Sequence, residues 1–240
     1  MTLKRIIKRE ELNSKHLGET KEILVYLPDD EEKNGEYPLL VLHDGPDYFN
    51  LGRIVTQATR MMEQKKIIPF MMAAVPVQKE KRTSEYSPIG QRQPLHMNMI
   101  VEELLPLIRT KYPASRKKED LVIGGSSLGG TVSLHIALTY PEVCDQVLSQ
   151  SGAFMEATTE QILRQPSLSR LKLYQSVGTS ETAVPTHLGT FDLVARNREI
   201  YRSLKEKNAQ VHYIEDEGDH TWGFWQRDLP RALQTFFGTE

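Results

Sequence analysis

The chain has 240 residues, 39% of them hydrophobic, which is enough for one full core and bounds it to one domain, residues 1–240. Its 30 basic and 32 acidic side chains leave a formal net charge of −2, with no electrostatic footing for nucleic acid or an anionic membrane. No apolar run approaches the roughly 20 residues that span a bilayer. The charged N-terminus has no secretory core, and Cys144 is the only cysteine, so a cytoplasmic protein without internal disulfides is expected.

Residues 21–28 alternate around Ile23, Val25 and Leu27 and predict a strand ended by Pro28. Asp29-Asp30-Glu31-Glu32 with Lys33-Asn34-Gly35 reads as a solvated turn. The unbroken apolar run Tyr37-Pro38-Leu39-Leu40-Val41-Leu42 predicts a strand buried on both faces. It runs into the turn-rich His43-Asp44-Gly45-Pro46-Asp47. A helix around 54–64 and a strand over 70–75 follow. Residues 79–96 are polar, carry Pro88, Gly90 and Pro94, and make a connection long enough to suggest function. Ile100, Val101, Leu104, Leu105 and Ile108 then mark an amphipathic helix over 97–112.

Asp120-Leu121-Val122-Ile123-Gly124 reads as a buried strand, and 130–138 as a largely buried helix. Between them stands Gly125-Ser126-Ser127-Leu128-Gly129. Strand, G-x-S-x-G and helix in that order describe a nucleophile elbow, in which a strained turn lifts a serine clear of the sheet edge at a helix N-terminus. A strand over 146–151 leads to a loop and short helix reaching about residue 170. The next strand, 171–177, ends at Gly178-Thr179-Ser180-Glu181; helix 192–207, strand 210–215 and a closing helix 229–237 complete the chain. Strands alternating with helices predict an α/β fold, a mainly parallel central sheet with helices on both faces and chemistry at the strand C-termini.

A serine hydroxyl needs a base, and the base an orienting acid. His220, in Glu217-Gly218-Asp219-His220-Thr221-Trp222, follows the last strand, where the final member of a Ser…acid…His order belongs. His135 lies mid-helix, while His16, His96, His187 and His212 sit in no motif. Asp219 and His220 lack a second ligand set, so no metal is expected. For the acid, Glu181 at the end of its strand is preferred; Asp192 is the rival, with Glu217 and Asp219 behind it. The oxyanion hole is expected to combine the Leu128 N–H with that of Gly45 or Asp47, less readily Asp44, since Pro46 has none.

These stretches give the chain a resemblance to the α/β-hydrolase family named after esterase D, in its enterochelin (siderophore) esterase-like branch. The likeness covers about residues 20–238. It rests on Leu27-Pro28, His43-Asp44-Gly45, Arg82-Thr83-Ser84-Glu85-Tyr86 with Pro88, Glu102-Glu103-Leu104-Leu105-Pro106 and the serine elbow. Leu148-Ser149-Gln150-Ser151-Gly152, Val177-Gly178-Thr179-Ser180-Glu181 with Asn197, and Gly218-Asp219-His220-Thr221-Trp222 with Trp225 complete it. The resemblance implies an α/β-hydrolase fold, Ser127 as nucleophile, His220 as base, Glu181 as acid, and no metal or organic cofactor.

The expected activity is hydrolysis of a small-molecule carboxylic ester, with an intracellular siderophore trilactone as one substrate. Arg82 and Arg92 would then face an anionic ligand, with internal pairing of Arg82 to Glu85 as the alternative, and 79–96 and 153–170 would rim the site. A general carboxylesterase, a carbohydrate or feruloyl-type esterase, and a hydrolase-like binding protein without turnover are the alternatives. Oligomeric state has no signature in the sequence.

Overall fold

Successive apolar residues of the same strand go to opposite sides of a single sheet, and this organises the molecule. The computed structural model describes residues 5–28, 35–186 and 189–239. The predicted acidic turn at 29–34 and His187 lie outside the described residues.

The strands of the main sheet are β1 (Arg5–Ser14), β2 (Glu19–Pro28), β3 (Leu39–His43), β4 (Met71–Val75), β5 (Leu121–Ser126), β6 (Gln146–Gln150), β7 (Lys172–Gly178) and, last in the chain, β10 (Gln210–Asp216). They form an eight-stranded sheet in the order β1-β2-β4-β3-β5-β6-β7-β10. The pairings of β1 with β2 and of β2 with β4 are antiparallel; the others are parallel. A short hairpin of β8 (Val184–Thr186) and β9 (Gly189–Phe191) stands apart from it.

The helices are α1 (Gly45–Asn50), α2 (Ile54–Glu63), α3 (Lys79–Tyr86), α4 (Gln93–Asn98), α5 (Leu105–Lys111), α6 (Leu128–Thr139), α7 (Glu156–Leu163), α8 (Leu193–Glu206) and α9 (Trp222–Phe237). On one face, Leu40, Leu42, Met72, Val122 and Leu148 pack with residues of α1, α2 and α9, including Tyr48, Ile54, Ala58, Leu229 and Leu233. On the other, Leu39, Val41, Met71, Ala73 and Ile123 pack with Tyr86, Ile100, Ile108, Val132 and Ile136. Strands buried on both faces read as continuous apolar runs, as β3 and β5 do.

The expected α/β architecture is present, with three departures. β1 pairs along its full length with β2 although its exposed residues show no apolar alternation. The polar stretch 79–96 is largely helical, in α3 and the start of α4. The helix expected over 97–112 is the tail of a longer helical run from Gln93 to Lys111, with a widened π-type turn over Met99–Leu104. Pro106 follows that turn and has no N–H to return to residue 102, which locally favours the wider winding.

Candidate active site

β5 delivers its last residue, Ser126, to the sheet edge, and α6 begins at Leu128. Ser127 between them has φ 55° and ψ −126°, a conformation that a residue with a Cβ adopts only when its surroundings enforce it. Its N–H donates to Gln150 O on β6 at 2.9 Å, and its carbonyl accepts from Gly130 at 3.1 Å and Ala153 at 3.1 Å. Such close packing requires glycine: a Cβ on Gly125 would lie 2.7 Å from the Gly129 carbonyl carbon. The Ser127 side chain caps nothing in α6, so its hydroxyl is left for another partner.

That partner is His220, between β10 and α9, whose Nε2 lies 3.0 Å from Ser127 Oγ. His220 Nδ1 lies 2.7 Å from Glu181 Oε2. Glu181 is fully buried, three residues beyond the end of β7, and its Oε1 accepts from the Gly178 N–H at 2.8 Å. The structure therefore brings together Ser127, His220 and Glu181, which are far apart in sequence. An ionised carboxylate only accepts, so Nδ1 carries the proton and Nε2 is free to accept one from the serine. Asp192 does other work: its Oδ1 accepts the Ala195 N–H at 2.9 Å and caps α8.

The turn after β3 approaches the start of α6. Asp44 is left-handed at φ 52°, and Gly45 presses on β4 so closely that a Cβ would sit 2.2 Å from Ala74 Cα. The N–H of Asp47 donates to Asp44 O at 3.0 Å. Asp47 is thus spent on the first turn of α1, against the expectation that it could serve an oxyanion; Gly45 and Leu128 keep that expectation.

Two cavities meet at Ser127 and His220. The larger, about 450 Å³, is walled by Leu128, Ala153, Met155, Pro185 and Phe191, with Arg82 and Thr83 on its polar side. The second, about 400 Å³, is bordered by Asp44, Asp47, Lys79, Arg82, Trp222 and Trp225. The β8–β9 hairpin gives the larger cavity Pro185, Thr186 and Phe191. Sequence reasoning missed it, because three-residue strands carry almost no periodicity.

Arg82 lines both cavities, but its guanidinium is engaged by Asp44, with Nε 3.0 Å from Oδ1 and Nη2 2.8 Å from Oδ2. Burial works against the charge on Arg82, yet the Asp44 carboxylate outweighs it and raises the arginine pKa. Arg92 does not line either cavity. Its Nη2 donates to Leu17 O at 3.2 Å and to Glu85 at 3.3 Å, correcting the expectation that it faces substrate. The physical reason is Glu85, which is wholly buried. Burial opposes its ionisation, but His96 and Lys21 prevail and hold its pKa at about 2. A carboxylate kept charged there gathers cations, including Lys21 at 3.0 Å and Arg92.

With this geometry in hand, residues 14–236 match the family described as "Putative esterase". The chain belongs to this esterase family. A Bacillus subtilis (strain 168) relative, the uncharacterized protein YjcH, is 31% identical over 95% of the chain and 96% of its own length. The iron(III) enterobactin esterase of Escherichia coli (strain K12) is 22% identical over 92% of the chain, which spans only 54% of that protein.

Among solved structures, a ferulic acid esterase superposes on the esterase with TM-score 0.81 at 17% identity, covering 98% of both chains. The enterobactin esterase of Shigella flexneri gives 0.82 at 21%, covering 96% of this chain and 59% of that one. The esterase is therefore an α/β-hydrolase of the esterase D and enterochelin esterase-like kind, a carboxylic ester hydrolase. Among the described residues, no helix is long and apolar enough to cross a membrane.

Proposed function

We propose that the esterase is a serine hydrolase working through an acyl-enzyme, with Ser127 as nucleophile, His220 as general base and Glu181 as orienting acid. One observation carries this reading: hydrogen bonds run without a break from Glu181 Oε2 through His220 to Ser127 Oγ, where two cavities meet. His220 takes the serine proton as Oγ attacks the ester carbonyl, and Glu181 stabilises the imidazolium that forms. The Leu128 N–H at the start of α6, aided by the helix dipole, and that of Gly45 receive the developing oxyanion. His220 then protonates the leaving alcohol, and in the second half it activates water against the acyl-serine.

The apolar wall of Leu128, Met155, Pro185 and Phe191 favours an ester with an apolar or aromatic half. Such a wall suits a general carboxylesterase or a feruloyl-type esterase. A siderophore trilactone is the second reading, favoured by Arg82 and Lys79 on the cavity walls and by the likeness to iron(III) enterobactin esterase. A single domain over 1–240, with 79–96 and 153–170 rimming the site, belongs to this proposal; Arg82, Thr83, Ala153 and Met155 support it. So does a cytoplasmic setting, supported by the lone, buried Cys144 thiol.

The deciding experiment pairs a serine-directed phosphonate with Ser127→Ala. Stoichiometric labelling of Ser127, and a loss of about 10⁶ in turnover in the variant, are expected. A variant retaining a tenth of wild-type activity would remove Ser127 from the chemistry.

A further inference from the structure

Ser151 holds a backbone conformation that serine does not favour, with φ 49° in the left-handed region, and it is wholly buried. It directly follows β6, and its N–H donates to Ser176 O at 2.7 Å. The conformation places its hydroxyl between two fixed groups. Ser151 Oγ accepts from Trp225 Nε1 at 2.8 Å and donates to Glu181 Oε1 at 2.6 Å.

The direction of those bonds follows from their end members. An indole N–H can only donate and an ionised carboxylate can only accept. The single hydroxyl proton is therefore committed to Glu181. With the Gly178 N–H also on Oε1, that oxygen is held by two donors, and Oε2 is left to His220 Nδ1. Trp225 is itself secured, since its carbonyl accepts from Gln150 Nε2 at 3.0 Å and Gln150 Oε1 accepts from Tyr48 at 3.0 Å. Its ring makes a T-shaped contact with that of His220, with centroids 5.1 Å apart.

We propose that Ser151, its hydroxyl oriented by the Trp225 indole, is a positioning residue for ester hydrolysis that locks the Glu181 carboxylate in the rotation presenting Oε2 to His220. This rests on the reading of Ser127, His220 and Glu181 as the working triad. A carboxylate tied through one oxygen cannot turn about its terminal bond, so the imidazole is held in line with Ser127 before substrate arrives. Preorganisation of this kind acts on the chemical step, because a misplaced group costs rate and not substrate binding.

The test is a double-mutant cycle. Ser151→Gly removes the hydroxyl and also the backbone strain, so it folds readily; Ser151→Ala removes the hydroxyl and keeps the Cβ. Both are expected to lower kcat about 10- to 100-fold with KM within about two-fold, and Trp225→Phe to lower it less. In a Glu181→Gln background, Ser151→Gly is expected to add little, since residues acting through one group are not additive. The full Ser151→Gly factor appearing again in that background would overturn the proposal. So would wild-type kcat in both Ser151 variants alongside a collapse in Glu181→Gln, a result that leaves the triad standing. Wild-type kcat in Glu181→Gln would instead overturn the triad and the positioning role together.

Discussion

Asp44 and Arg82 form a two-pronged ion pair beside Ser127, with Arg82 lining both cavities and Asp44 the second. The pair ties α3 to the left-handed turn after β3, and it sets the charge that a substrate meets. As long as Asp44 holds the guanidinium, the arginine presents little net positive charge.

Releasing Arg82 is therefore a test of substrate class. Asp44→Asn keeps the shape, and asparagine tolerates the left-handed φ of 52°. The variant is expected to lower KM for an anionic catecholate ester relative to a neutral one, and added salt is expected to erase the difference. An unchanged ratio of KM values would take Arg82 out of substrate contact and leave the neutral, apolar ester as the reading.

Glu181 and Asp192 separate cleanly by assay. Glu181→Gln is expected to cost about 10⁴ in kcat, because a neutral amide stabilises no imidazolium. Asp192→Ala removes the cap of α8 and is expected to cost about 1 kcal/mol of stability with turnover within a few-fold of wild type. Chemical unfolding and initial rates measured on both variants check this; the reverse ranking would move the acid to Asp192.

Acid sensitivity is expected to begin with histidine. Burial alone lowers the pKa of His135 from 6.5 to about 4, and burial leads the lowering at His43 and His96 too. A histidine whose folded pKa is depressed binds fewer protons folded than unfolded. Its contribution is intact above the unfolded pKa and is lost as pH falls through 6.5 towards the folded value, about 3 kcal/mol for His135. His135→Gln is expected to flatten the slope of unfolding free energy between pH 6.5 and 4. A slope identical to that of wild type would show that His135 does not titrate on unfolding there.

Gly45 has no room for a side chain. Gly45→Ala drives a Cβ to within 2.2 Å of the Ala74 backbone, and overpacking against a buried strand costs about 1–3 kcal/mol or more. Thermal unfolding is expected several degrees lower, with kcat reduced because the turn beside Ser127 shifts. Gly35→Ala, which meets nothing within 4 Å, is the control and is expected to match wild type.

What the chain order alone determined about this protein is its local grammar. The apolar runs Leu39-Leu40-Val41-Leu42 and Leu121-Val122-Ile123 announce strands covered on both faces, and a serine between glycines at a strand–helix junction announces an elbow. His220 and Glu181 were legible because each stands just past a strand end, where a parallel sheet gathers its chemistry. What only the tertiary structure decided concerns groups whose partners are distant in sequence. Arg82 and Arg92 look alike in one polar stretch, yet one reaches the cavities and the other is drawn to buried Glu85. Ser151 and Trp225 are separated by 74 positions and meet only when β6 and α9 pack at the same end of the sheet. Apolar periodicity is imposed residue by residue, so a sequence displays it. The partner of a buried charge or hydroxyl is settled by where the chain returns, because desolvation makes any satisfied arrangement better than none.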